Sequence, residues 1–388
     1  MNVQRQRFTD YVFTALGGVA LLLLCMLPYV RPAYNWDTLG YLGNIYLLDG
    51  VSPNTVHARV YADALAIHDE GARFRLITDE RGGAAIRARD PNSFLQYLPW
   101  YATRPAYIGA GFLLYKTGIP PVSSLMLVSS ISYLCVALIL VVWLKKYFQP
   151  RMALLFSFLI AFSLADMAKQ ATPDMMSCAL LLLASYLIVE GGAYSPGVTL
   201  LVVSLMIRPD NIVLLFVVSL FLWANNKIPF TTAASACLIG AALVALLNRF
   251  NYSWAFLFQQ TFYGPFPYPA EVVPHVTTRM YLHTLLASAW EMFRSFPYVA
   301  ILLAIAATNK GKLQSFFFVA LASSILHFLL YPDGALRYYM LTVVVGTMAA
   351  VTTVAPVRPA LSTARRGWNV GRTIAQRVAL APDRGQCV

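Results

Sequence analysis

Long apolar runs, separated by short polar turns, recur along the chain from residue 11 to residue 355. A membrane-spanning helix needs about 20 mostly apolar residues. Runs of that kind cover 11–30, 121–144, 152–168, 174–190, 230–248, 288–307, 314–331 and 338–355. Between 196 and 224 two shorter apolar pieces flank Arg208-Pro209-Asp210-Asn211. They predict either two short spans or a re-entrant helical hairpin that stops at membrane depth. In both cases the pattern predicts an all-α polytopic membrane protein with about eight to ten transmembrane helices. One polar insert, 31–104, interrupts it. Within the insert, "TLGYLGNIYLLDG" (38–50) and "NSFLQYLPWYA" (92–102) place apolar residues at helical spacing, which predicts amphipathic helices lying along the membrane interface. The polar stretch 53–90, with its Gly82-Gly83 break, reads as a loop or a small β-element.

Composition sharpens the class. Of 388 residues 59% are hydrophobic and 12% charged, with a mean hydropathy of +0.61. Soluble domains carry about 25% charged residues, so a soluble enzyme on an anchor is excluded. The organisation expected is one integral domain, 1–355, followed by a basic cytoplasmic tail, 356–388. The net charge of +12 is explained by Lys and Arg on short loops. Arg5 and Arg7, then Lys145, Lys146 and Arg151, then Lys227, then Lys310 and Lys312, then the tail arginines fall on one side. This positive-inside pattern places both termini in the cytoplasm, with a bacterial inner membrane as the expected location. The cations meet membrane lipids, not nucleic acid. No small-x-small cleavage site follows the first run, so it is read as a retained span. Cys25, Cys135, Cys178 and Cys237 lie in apolar runs and Cys387 in the tail, without ligand spacing, so neither a disulfide framework nor a zinc site is indicated.

The opposite side carries the insert (first extracytoplasmic loop, 31–104), the turns 168–174 and 208–211, a second extracytoplasmic segment, 249–283, and the turn 331–339. Nearly all the acids lie there. Ionisable groups at one end of a bundle line aqueous or substrate cavities, so the functional face is expected to point outward.

Four pieces carry candidate chemistry. Asp37 follows the first span in "YNWDTLGYLG". It can cap the next helix, or it can act as a general base that takes a proton from a hydroxyl. "TRPAYIGAGFLLYKTGIPP" (103–121) closes the insert with Arg104 and Lys116 at its ends. Thr172-Pro173-Asp174 opens a later helix, and Arg337-Tyr338-Tyr339 precedes the last one.

These pieces, in this order, resemble the GT-C superfamily of membrane glycosyltransferases. The nearest likeness is to the branch with the protein O-mannosyltransferases and the lipid A aminoarabinose transferase. It covers roughly residues 8–190 and, more loosely, 325–355. The resemblance implies a GT-C-like bundle and a hexosyl or pentosyl transferase that inverts the sugar configuration. The sugar would pass from a polyprenyl-phosphate donor to a glycan, lipid or protein acceptor. It implies Asp37 as the catalytic acid that deprotonates the acceptor and Arg337, with Tyr338, at the donor phosphate. Arg104, Lys116 and Asp174 fall at matching positions. The chain departs from the pattern at Asp37-Thr38, where protein O-mannosyltransferases show paired acids, and at Ala106, where the motif has a second proline.

Other residues have two readings each. Lys169, between Asp166 and Asp174, suits the donor phosphate or a local ion pair. Arg208 and Asp210 suit an internal pair bracing a broken helix. No cofactor is required by these residues, although His57 and His68 share a loop with Asp63, Asp69 and Glu70, a candidate divalent-metal site. The aromatic stretch 250–276 reads as an interfacial belt or as a lid over the outer cavity. The rival functions are a transporter or lipid flippase built around Arg208–Asp210, and an inactive GT-C-like assembly subunit.

Overall fold

The computed structural model describes residues 3–67, 69–78, 83–295, 297–308 and 311–354, and no strand occurs among them. The tail 356–388, His68 and Lys310 lie outside the described residues. The first helix, α1 (Val3–Val30), leads into the insert. There α2 (Trp36–Leu48), α3 (Pro53–Leu65), α4 (Glu70–Arg73), α5 (Ala84–Arg89), α6 (Pro91–Ala102) and α7 (Pro105–Lys116) form a helical cap. The bundle continues with α8 (Pro121–Leu144), α9 (Pro150–Ser163), α10 (Ala165–Ala168), α11 (Asp174–Val189), α12 (Tyr194–Ser204), α13 (Ile212–Ala224) and α14 (Phe230–Asn248). A short α15 (Trp254–Phe262) precedes α16 (Thr278–Ser295), α17 (Pro297–Ala307), α18 (Lys312–Leu330) and α19 (Met340–Val354).

Among the described residues, four stretches are long and apolar enough to cross a membrane: Tyr11–Val30, α8, α14 and α18. Their surroundings must be apolar too. The most apolar window of α14 is only 17% buried within the protein, and Leu238 on it is 71% exposed. Such a surface is stable in lipid and not in water. The chain is a membrane-embedded helical protein.

The helices alternate in direction. Trp143 Nε1 at the end of α8 and the Tyr147 hydroxyl both donate to Glu190, just past the end of α11. Arg208, beyond the end of α12, instead pairs with Asp174 at the start of α11. The insert, the 169–174 turn, 205–211, 249–277 and 331–339 therefore gather at one end of the bundle.

Three expectations change. Among its described residues the stretch 53–90 is mostly helical, with no β-element: Val56, Val60, Tyr61 and Ala64 of α3 are buried at helical spacing, and Pro53 occupies the first turn. The helix over 38–50 is not interfacial. Thr38 through Tyr46 are all buried, because α2 forms the centre of a cap core with α3, α6 and α7. Its glycines permit this: a Cβ at Gly40 would sit 2.2 Å from Tyr101 Cδ2, and one at Gly43 2.6 Å from Leu98 Cδ2. The helix over 92–102 does bury one face, Ser93, Phe94, Tyr97, Leu98 and Tyr101, but that face is covered by protein.

Candidate functional site

Asp37 begins the site. Asn35 is the N-cap of α2, its side chain accepting from the Thr38 amide at 3.2 Å. The capping reading of Asp37 therefore gives way. Its carboxylate stays in the first turn, where the helix dipole favours negative charge, and points to other partners. Tyr101 of α6 donates its hydroxyl to Asp37 Oδ1 at 3.1 Å. Burial pushes the Tyr101 phenol well above its usual range, aided by the neighbouring Asp37 charge, so it remains a donor. Arg337 Nη1 lies 3.4 Å from Asp37 Oδ2, across 300 residues of sequence.

Arg337 belongs to the 3-10 turn Leu336–Tyr338 ahead of α19. Its Nη2 donates to the Tyr338 hydroxyl at 3.2 Å, and its guanidinium lies 5.0 Å from the Tyr338 ring centre. Arg208 lies 4.7 Å from the same ring centre, but it is held differently. It pairs with Asp174 and, through Nε and Nη2 at 3.1 and 2.6 Å, with Asp210. His327 Nε2 reaches Asp210 at 3.4 Å, and the His327 ring stacks on Tyr338.

Asp37, Tyr41, Trp100, Tyr101, Arg104, Thr172, Pro173, Asp174, Arg208, Arg337 and Tyr338 line one small cavity of about 60 Å³. Arg104 has no carboxylate within 4.0 Å among the described residues, and its guanidinium donates to the Trp100 carbonyl at 3.3 Å. Arg337 Nε and Thr172 Oγ1 are buried without a partner among the described residues. Unspent donors and an unpaired cation suit oxygen-rich anions, since guanidinium pairs with phosphate in a planar fork. Next to Arg337, Leu336 opens an apolar groove of about 320 Å³ between α9–α10 and α19. It passes Met340 and Val343 and reaches Val351.

Of the residues singled out in the sequence, the cavity brings together Asp37, Arg104, Asp174, Arg337 and Tyr338. Lys116 lies apart: it pairs with Asp49 at the far end of α7, and the 12 residues of that helix span about 18 Å. Lys169 pairs with Asp166 at 2.7 Å and does not line the cavity. The local Arg208–Asp210 pair is present, but Arg208 also bridges to Asp174 and faces the cavity. Thr172 belongs to the Thr-Pro-Asp motif, but Tyr41, Trp100 and Tyr101 carry no sequence signal of their own. They join the wall only because α6 packs on α2 and the 169–174 turn meets the insert, where Asn35 Nδ2 donates to Gln170 Oε1.

No cluster of three or more metal-ligating side chains occurs among the described residues, and His57 is engaged with the Arg87 carbonyl. The aromatic segment after α14 fastens to α6 without lining the cavity. Tyr97 and Ser93 donate to the Phe266 and Pro267 carbonyls at 2.6 Å, and Tyr252 to that of Gln96. No family model, curated protein or solved structure matches the chain.

Proposed function

We propose that the chain is a GT-C-type inverting glycosyltransferase of a bacterial cytoplasmic membrane, with the Asp37 cavity on the extracytoplasmic face. It moves a sugar from a polyprenyl-phosphate donor to the hydroxyl of a lipid, glycan or protein acceptor. The observation that carries this reading is the meeting of Asp37 and Arg337 on one wall, beside the unpaired Arg104. The apolar groove starting at Leu336, one residue from Arg337, gives the same ligand a place for its hydrocarbon chain.

In this reading Asp37 takes the acceptor proton while the acceptor oxygen bonds to the sugar's anomeric carbon. The bond from that carbon to the phosphate oxygen breaks, and the departing phosphate gains the negative charge. Arg337 and Arg104 stabilise that charge, and Tyr101 orients the carboxylate. The Arg208–Asp174–Asp210 group holds Tyr338 in place beside Arg337. Positioned base catalysis contributes about 10²–10⁴-fold.

The test is mass analysis of lipid-linked and surface glycans from cells lacking the protein, complemented with wild type or Asp37→Asn. Loss of one sugar, restored by wild type and not by the variant, supports the reading. Restoration by Asp37→Asn would overturn it and favour a transporter, flippase or assembly subunit.

A further inference from the structure

The two arginines beside Tyr338 are held in opposite ways. Arg208 is 6% exposed and locked by two carboxylates, Asp174 and Asp210, with its Nε also engaged. Arg337 is 34% exposed, its pair with Asp37 is long at 3.4 Å, and its Nε has no partner among the described residues. One cation is anchored and the other is loosely placed. The loose one occupies an oxygen of the proposed base.

We infer that Arg337 exchanges partners: it restrains Asp37 in the empty protein, and a lipid phosphate entering the cavity draws it away and leaves Asp37 free to take the acceptor proton. The inference rests on the glycosyltransferase reading and adds regulation to that site. The geometry supplies what the exchange needs. While Tyr101 donates to Oδ1 and Arg337 Nη1 faces Oδ2, both carboxylate oxygens of Asp37 already face a donor, and the departure of Arg337 opens Oδ2 to an acceptor hydroxyl. The donor's phosphodiester offers two free oxygens that can accept from Nη1 and Nε together, where Asp37 faces Arg337 with one oxygen at 3.4 Å. Tyr338 provides a pivot, since its hydroxyl holds Nη2 and its ring contacts the guanidinium while Nη1 and Nε turn to a new partner. Arg104 on the same wall adds a second cation for the arriving phosphate without first having to break an ion pair. Donor then binds before acceptor chemistry begins, and no acceptor hydroxyl, water included, is activated in the donor's absence. No covalent bond changes in the exchange itself.

The test is a double-mutant cycle on binding, read with undecaprenyl monophosphate and the full chain in lipid nanodiscs. Asp37→Asn removes the competitor for Arg337 with little change of shape, so it tightens binding by about fivefold, the upper range for a partly exposed ion pair. Arg337→Gln weakens binding. In the Arg337→Gln background the gain from Asp37→Asn disappears, because there is no longer a partner to release. An equal gain in both backgrounds would mean simple repulsion between carboxylate and phosphate, and would overturn the exchange. So would the absence of any gain. The glycosyltransferase reading fails separately, if wild-type protein does not bind the lipid phosphate at all or if Arg337→Gln leaves its affinity unchanged.

Discussion

Asp37 reaches its partners because the residue three positions later has no side chain. The Tyr101 ring occupies the space where a Cβ of Gly40 would be, 2.2 Å from Tyr101 Cδ2, and its hydroxyl thereby meets Asp37 Oδ1. The ring is wedged further by an edge contact with Tyr41 at 5.1 Å. A methyl group at position 40 must displace an aromatic ring in a filled core, and overpacking of this kind costs about 1–3 kcal/mol. Gly40→Ala is expected to lower the thermal unfolding midpoint in detergent and, under the proposed function, to reduce glycosyl transfer with it. Gly109 of α7 has open space around its would-be Cβ. Gly109→Ala should be neutral or stabilising by up to about 1 kcal/mol, since alanine is the better helix former. Equal effects of the two substitutions would show that the Tyr101 contact does not matter.

At the scale of elements, the segment after α14 is tied to the cap through the N-terminus of α6. Asp90 is the N-cap of that helix, accepting from the Asn92 amide at 2.9 Å and from the Tyr268 hydroxyl at 2.6 Å. The Tyr268 bond, then the Asn92 amide, hold the Asp90 carboxyl below its ordinary range. A carboxylate depressed in the folded state adds stability above its unfolded pKa, about 3.9, and loses it as pH falls through the depressed value. Hydrogen exchange across 265–272 should therefore be faster in Tyr268→Phe than in wild type at pH 7. The ratio of the two rates should fall toward one as Asp90 protonates. A ratio independent of pH would mean that the Tyr268 bond does not depend on the Asp90 charge. Such ties are poorly legible in a sequence, because each depends on residues more than 150 positions apart, as with Tyr268 and Asp90 at a separation of 178. Helix spacing was legible in α6, but not what its apolar face would meet. In α3 the polar composition masked the spacing of Val56, Val60 and Ala64. Spans such as α8 and α14 were plain, because the bilayer dictates both their length and their composition.

The whole molecule concentrates its polar loops at one end, and that arrangement links fold to function. Asp37, Asp174, Arg208 and Arg337 come from four separate segments, and they meet because the helices between them return the chain to the same end. That Asp37, Asp174 and Arg337 lie at one end of the bundle was readable in advance. The anchoring role of Arg208 was not, since its second carboxylate lies 34 residues away and becomes a neighbour only when α12 doubles back along α11. A donor whose phosphate sits at the outer surface of the membrane requires the end that bears the cavity to face outward. Ser195, at the start of α12, and Ala270, in the segment fastened to α6, are both exposed and lie at opposite ends of the bundle. A membrane-impermeant maleimide applied to spheroplasts should label Ala270→Cys directly and Ser195→Cys only after permeabilisation, in a background with the native cysteines replaced. The basic loops that share the Ser195 end, with Lys145, Lys146 and Lys227, require this outcome under the positive-inside rule. The reverse labelling would place the Asp37 cavity in the cytoplasm, where nucleotide sugars are available, and the polyprenyl-phosphate donor would lose its rationale.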